Sequence, residues 1–330
     1  MRVVALEEHF LVPHLNARVA SALSARGAPS AARGRTVKER ELADLGEARL
    51  ADMDAAGVSV QVLSVPGAGA DVLEGAAGVD LAREYNDILA AAVAERPGRL
   101  AGFAHLPMRS PDAAADELER AVRKLGFHGA LINGLTEERC LDHPSFDPIL
   151  ARAAALDVPI YIHPGVAVEP VRRAYYDGLP GQISHAMAAS AWGWHIETAL
   201  QVLRLALSGA LDRHPNLKII IGHMGEALPF MLARAEEKLA NEAAKSLRRT
   251  LTETILDQVW ITTSGFFTIP PFLCALQTFG VDRILFSVDY PYSTNAAGRA
   301  FLDGLPVSPL DREKIAHGNA DRLLRLSVDP

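Results

Sequence analysis

Side chains that bind metals or move protons stand just past short apolar runs at four places in this chain of 330 residues. Glu7 and His9 close the run that starts at Val3-Val4-Ala5-Leu6. Their spacing of two puts both on one side of a strand and Glu8 on the other. His163 follows Val158-Pro159-Ile160-Tyr161-Ile162, and His223 follows Leu217-Lys218-Ile219-Ile220-Ile221 and Gly222. Asp289 follows Arg283-Ile284-Leu285-Phe286-Ser287 and Val288. Imidazole and carboxylate side chains facing one way are the donors of a divalent-metal site. A further imidazole beside such a site suits proton transfer. Glu7-x-His9 alone fits an ordinary charged strand end equally well. The return of such residues after the later strands is what favours the metal.

Residues this far apart converge only if the fold gathers strand ends. Further strand-like runs cover 58–64, 100–104, 129–133 and 259–263. Helical spacing occupies 79–95, 110–125, 145–156, 193–210, 226 into the 240s, 270–279 and 309–325. Ser110-Pro111 opens one of these helices with a cap and a proline at the first position. Eight short apolar strands alternating with helices mean parallel strands with helical crossovers. That count and this length predict an α/β fold, a closed (β/α)8 TIM barrel, with its site at the C-terminal mouth. Residues 1–330 read as one domain, with 10–48 and 166–191 as insertions near the mouth. Strands one and eight are neighbours in such a barrel, so Glu7, His9 and Asp289 meet, and His163 reaches them from the far side. The four predict one divalent ion, zinc or manganese. His223 would stand beside it as a proton-transfer or polarising group.

Bulk properties exclude several classes. A formal charge of −7 argues against nucleic acid and offers no basic patch to a membrane. No apolar segment is long enough to span a bilayer, and residues 1–9 do not look like a signal peptide. Cys140 and Cys274 make no disulfide framework and read as small buried apolar residues. A cytoplasmic protein is expected.

Longer stretches carry a resemblance. Ala5-Leu6-Glu7-Glu8-His9-Phe10, Arg49-Leu50-Ala51-Asp52-Met53-Asp54-Ala55-Ala56-Gly57 and Gly129-Ala130-Leu131-Ile132-Asn133-Gly134 come first. Tyr161-Ile162-His163-Pro164, Ser208-Gly209-Ala210-Leu211-Asp212-Arg213-His214-Pro215, Gly222-His223-Met224-Gly225-Glu226 and Phe286-Ser287-Val288-Asp289-Tyr290-Pro291 follow. In this order they resemble the amidohydrolase superfamily, in the branch of aminocarboxymuconate-semialdehyde decarboxylase and the hydroxybenzoate decarboxylases. Glu7-x-His9, where much of the superfamily has His-x-His, resembles the resorcylate-type enzymes. The resemblance implies Glu7, His9, His163 and Asp289 as metal ligands. It implies His223, with Glu226 as partner, for the acid/base step. Arg49 and Arg234 match positions that bind a substrate carboxylate, one of them often from a second subunit, so a homodimer or homotetramer is expected. Trp192 matches an aromatic lining the pocket. Asn133, past strand four, either touches substrate or caps a loop. Tyr292 stands where the nearest relatives often have Phe.

The expected activity is a metal-dependent decarboxylase, free of organic cofactor, acting on a hydroxybenzoate-like or enoic small-molecule carboxylic acid. The alternative is a hydrolase or hydratase of a lactone, amide or unsaturated dicarboxylic acid on the same scaffold. A non-catalytic scaffold is the third reading. His14, His105, His128, His143, His185, His195, His214 and His317 lack a partner set and read as surface or satisfied core histidines. Among them, His105 after strand three and His195 near the mouth carry slightly more weight.

Overall fold

The computed structural model describes residues 1–25, 36–67 and 69–326. Eight parallel strands are present: β1 Val4–His9, β2 Val60–Ser64, β3 Leu100–Gly102, β4 Ala130–Asn133, β5 Pro159–His163, β6 Lys218–Ile221, β7 Val259–Thr262 and β8 Ile284–Leu285. β1-β2-β3 and β4-β5-β6-β7-β8 form two ladders in chain order. A bridge between Ala104 and Ala130 joins the first to the second. β8 meets β1 through mixed bonds instead of a regular ladder. The Glu7 N–H donates to Ser287 Oγ at 2.8 Å, and the His9 N–H donates to the Tyr290 carbonyl at 2.8 Å. This is the expected barrel.

Both faces of these strands are buried, so they read as near-continuous apolar runs. One set of side chains, including Val4, Leu6, Val62, Leu131, Ile220 and Leu285, packs with Leu323 and Leu324 of the C-terminal helix. The alternate set, including Val3, Ala5, Ile160, Ile162, Ile219 and Ile221, packs against the surrounding helices. Strict alternation from Val4 and Leu6 would bring Glu8 inward. A register shift between Ala5 and Glu8 breaks that count. The bulge turns Glu7 and His9 toward the interior, a re-aiming that bulges near sites commonly perform.

Most helices follow the sequence pattern, with differences at the ends. The helix expected over 193–210 spans Gly193–Leu207, because Gly209 takes a left-handed φ of 75°. The C-terminal helix is broken into Pro309–Glu313, a π-turn at Lys314–Gly318 and Asn319–Leu324. Two short helices, Leu251–Gln258 and Asn295–Asp303, carry no long periodic run and are additions. The first insertion holds helices Pro13–Ala25 and Thr36–Ala43, and its residues 26–35 lie outside those described. The second holds Glu169–Tyr175 and Ile183–Ala188. Cys140 and Cys274 are free and only half-buried, which corrects the expectation of full burial. Among the described residues no helix is long and apolar enough to cross a membrane.

Candidate active site

At the mouth, Glu7, His9 and His163 offer donor atoms that all lie within 4.8 Å of one another, and all three residues are buried. Each imidazole is oriented from behind. His9 Nδ1 lies 3.2 Å from Ser64 Oγ, and His163 Nδ1 lies 3.0 Å from the Pro164 carbonyl. Both Nε2 atoms therefore face the cluster, as outer partners of metal-binding histidines arrange. His163 Nε2 is 3.4 Å from Glu7 Oε1. Burial outweighs the pull of Glu7 and drops His9 and His163 to about 4. They are neutral near pH 7 and keep a lone pair for a cation. Burial opposes ionisation of Glu7, yet His223 and the other imidazoles hold its carboxyl below the usual range.

Glu7 is fixed by residues that sequence reasoning did not single out. Tyr161 Oη and Ser264 Oγ both donate to Glu7 Oε2. Gly222 makes room, since a Cβ there would sit 2.5 Å from Glu7 Oε2. Tyr161 precedes His163 by two, so strand alternation would have placed it inside. Ser264 carried no such signal. The other oxygen, Glu7 Oε1, and His9 Nε2 are buried without a hydrogen-bond partner among the described residues. Orphaning a buried polar atom costs about 1–3 kcal/mol. A divalent cation satisfies both atoms at once, so the residues present fit that group.

Asp289 stands at the edge of this cluster. Its Oδ1 is 3.3 Å from His9 Nε2, and its Oδ2 is 4.0 Å from His223 Nε2. Burial, with Glu7 adding repulsion, pushes its carboxyl up to about 7. Its neighbour on β1, Glu8, also works here, from outside the cluster. The Glu8 carboxylate accepts the N–H groups of Val288 and Tyr290, each at 2.8 Å, and so anchors both sides of Asp289. The Ser287 hydroxyl also donates to Glu8 Oε1, at 3.2 Å.

His223 and Glu226 meet as expected, with His223 Nδ1 2.7 Å from Glu226 Oε1. The chain reaches this geometry by an uncommon path. His223, Met224, Gly225, Glu226 and Ala227 all have positive φ, from 48° to 82°. Left-handed backbone costs roughly 1–2 kcal/mol per non-glycine residue. Such strain concentrates at functional sites. Burial opposes the His223 cation, but Glu226 and Glu7 outweigh it and raise the imidazole to about 10. Burial likewise opposes the Glu226 carboxylate, and His223 and His195 overcome it, to about 2. His195 is the third member, its Nδ1 2.5 Å from Glu226 Oε2. The reading of His195 as an isolated histidine is thus corrected. The only hint in the sequence is its place near the mouth, directly after Trp192-Gly193-Trp194.

A cavity of about 530 Å³ opens onto this group, lined by His163, His223, Asp289, Asn133, Trp194 and Tyr292, with apolar walls from Pro66, Leu135 and Val166. Val166 and Ser190 bring the second insertion to its rim. Asn133 lines it while its amide accepts the Gly67 N–H at 3.0 Å, so it also caps a loop. Three expected substrate contacts differ. Trp192 is 53% exposed and borders a second cavity; Trp194, two residues on, lines the first. Arg49 is 1% exposed, and its guanidinium donates to the carbonyls of Asp44, His9 and Glu41 and to Gln61 Oε1. It stacks over Tyr290 at 4.8 Å. Those contacts turn it behind His9 and away from the cavity. Arg234 is a surface residue paired with Glu237 at 3.0 Å. Among the described residues, no lysine or arginine lines the cavity.

Known proteins share this arrangement of chain. The amidohydrolase family matches residues 9–326. A γ-resorcylate decarboxylase of Rhizobium sp. (strain MTP-10005) is 35% identical over 335 residues, covering 98% of this chain and 98% of its own. The decarboxylase orsB of Emericella nidulans is 37% identical over 295 residues, 87% of this chain and 88% of its own. A dihydroxybenzoic acid decarboxylase of Polaromonas sp. JS666, solved with manganese and the inhibitor 2-nitroresorcinol, superposes with a TM-score of 0.88 at 34% identity, covering 99% of this chain and 98% of that one.

Proposed function

The chain belongs to the amidohydrolase family, and from that premise we propose a metal-dependent decarboxylase of a 2-hydroxybenzoate, the dihydroxybenzoates first. The carrying observation is the pair of orphaned atoms, Glu7 Oε1 and His9 Nε2, beside a cavity that no arginine or lysine among the described residues lines. Glu7, His9 and His163 would hold one divalent ion, with Asp289 as a looser fourth ligand. The two carboxylates in the set favour manganese over zinc. When bound, the ion supplies positive charge that holds the substrate carboxylate and polarises its neighbouring hydroxyl.

The remaining chemistry falls to the chain. Asp289, at the edge of the cluster with Oδ1 3.3 Å from His9 Nε2, gives a proton to the ring carbon that bears the carboxylate. The bond from that carbon to the carboxylate then breaks, its electron pair returns to the ring, and CO2 leaves. His223, 4.0 Å from Asp289 Oδ2, returns the proton. Asn133, Trp194 and Tyr292 confine the ring. Arg234 would meet a carboxylate only if a second copy carried it there, a role supported by the exposed Phe230 and Met231 on its helix. A chain that sediments as a monomer at assay concentration would remove Arg234 from the site.

The test is CO2 release from 2,6-dihydroxybenzoate and its isomers, with metal analysis of the purified protein. Release that stops with a chelator and returns with manganese is expected. Consumption of water by a lactone or amide, without CO2, would replace this reading with a hydrolytic one. Asp289→Asn should bind substrate and lose turnover; retained turnover would pass the donor role to His223.

A further inference from the structure

Glu226 is a buried carboxylate shared between two imidazoles. Oε1 faces His223 Nδ1 at 2.7 Å, and Oε2 faces His195 Nδ1 at 2.5 Å. His195 is itself fixed at its other nitrogen, with Nε2 2.9 Å from the Ser190 carbonyl. Phe266 stands edge-on to both rings, at 5.0 Å from His195 and 5.7 Å from His223. The three polar residues are buried. A carboxylate with one partner can turn and offer either oxygen. With a donor on each oxygen it has one orientation, and the Nδ1–H of His223 has one acceptor. The nitrogen of His223 that faces the cavity is then always Nε2.

A second cavity makes this constraint matter. It has a volume of about 520 Å³, and His195, His223, Phe266 and Cys274 are among its lining residues. His223 thus separates two cavities. Without the His195 ring, water from the second would reach Glu226 and compete for its oxygens.

We propose that His195 is a positioning residue of the reaction, fixing the orientation of Glu226 and through it the ring and tautomer of His223. The inference rests on the decarboxylase reading for its kinetic readout only. Orienting groups one step behind the reacting residues commonly matter by about 10–100-fold. His195 therefore sets kcat and leaves metal content and KM nearly unchanged.

The experiment compares wild type with His195→Phe, which fills the space without a donor, and His195→Asn, which keeps one. Three quantities are read: kcat and KM for CO2 release, manganese content, and the imidazole nitrogen spectrum of 15N-histidine-labelled protein. His223 is assigned in that spectrum with His223→Gln. His195→Phe should lower kcat about 10–100-fold at unchanged KM and metal content, and should change the His223 Nδ1 and Nε2 signals. His195→Asn should recover much of both. A folded His195→Phe with wild-type His223 signals overturns the proposal, whatever the substrate is. So does a loss of kcat that His195→Asn does not relieve. If wild type releases no CO2 from any hydroxybenzoate, the decarboxylase reading fails, and the nitrogen spectrum still decides the role of His195.

Discussion

The floor and the mouth of the barrel are built from the same strands and obey opposite rules. At the floor, Val4, Leu6, Val62, Ile220 and Leu285 pack with Leu323 and Leu324 in an apolar cluster. At the mouth, β1 and β5 continue into Glu7, His9 and His163, and buried atoms there lack partners. The backbone follows the same division. Strands below are regular. Above them come the bulge in β1, the left-handed run at 223–227 and Asp289 at φ 67°. The floor generates stability that the mouth spends on holding charge and strain. One consequence is that substitutions should separate cleanly into those that cost turnover and those that cost folding.

The largest separation is expected at Glu7. Glu7→Gln removes the one carboxylate that touches Tyr161, Ser264 and the two imidazoles together. Loss of the ion's charge is worth several kcal/mol in the reaction, so turnover should fall by about 10³-fold or more. The metal should be lost while the circular dichroism spectrum and melting temperature stay close to wild type. A variant that unfolds instead would show that Glu7 serves the core. Leu6→Ala, one residue earlier, tests the other side. It should cost about 2–5 kcal/mol in denaturant unfolding and leave kcat per folded molecule unchanged. A fall in kcat without a fall in stability would erase the boundary between floor and mouth.

The same division explains what the sequence discloses. Strand ends are legible because apolar runs stop there, and Glu7, His9, His163, His223 and Asp289 all follow such stops. Glu226 was reachable through its spacing from His223. Tyr161 was hidden inside a run that reads as pure core, although it lies two residues before His163. The bulge between Ala5 and Glu8 has no glycine or proline to mark it. The place of Arg49 behind His9 is not legible, because three of its four hydrogen-bond partners are backbone carbonyls, which leave no trace in residue types. Trp192 and Trp194 differ by the register of one helix start, set by Gly193 packing against the Ala188 carbonyl. His195 depended on Glu226, which approaches it through five left-handed residues that no periodicity describes.

Adjacent carboxylates on β1 offer a pH test of the boundary. Burial raises Glu8 to about 7, against the pull of two N–H donors. Its ordinary value is 4.5, so the folded state holds this proton more tightly than the unfolded chain. The stabilisation is complete below pH 4.5 and is lost as pH rises through 7. Asp289 adds loss over the same window, from 3.8 to about 7. In chelated protein these two carboxyls therefore favour folding less as pH rises across this interval, by at most about 1.4 kcal/mol per unit for one proton, while His9 and His163, lowered from 6.5 to about 4, act in the opposite direction. Glu8→Gln should remove the Glu8 share, so that its stability relative to wild type rises between pH 4.5 and 7, whatever it does to stability at pH 4. An unchanged slope would mean that Glu8 is ionised throughout and that its bonds to Val288 and Tyr290 hold a charge.

Arg234 gives the smallest expected effect and sharpens the contrast with Arg49. Its side chain is 60% exposed and its ion-pair partner, Glu237, is one helical turn away and 59% exposed. An exposed pair of this kind contributes about 0–1 kcal/mol. Arg234→Ala should shift the unfolding midpoint little, and in a monomer it should leave KM alone. Arg49→Ala would strand three backbone carbonyls and Gln61 and should destabilise the chain far more. The two arginines thus answer different questions. If Arg234→Ala raises KM at high protein concentration and not on dilution, the residue works across a contact between copies. If KM stays constant at every concentration, the carboxylate is held without it, and binding charge comes from the ion and His223.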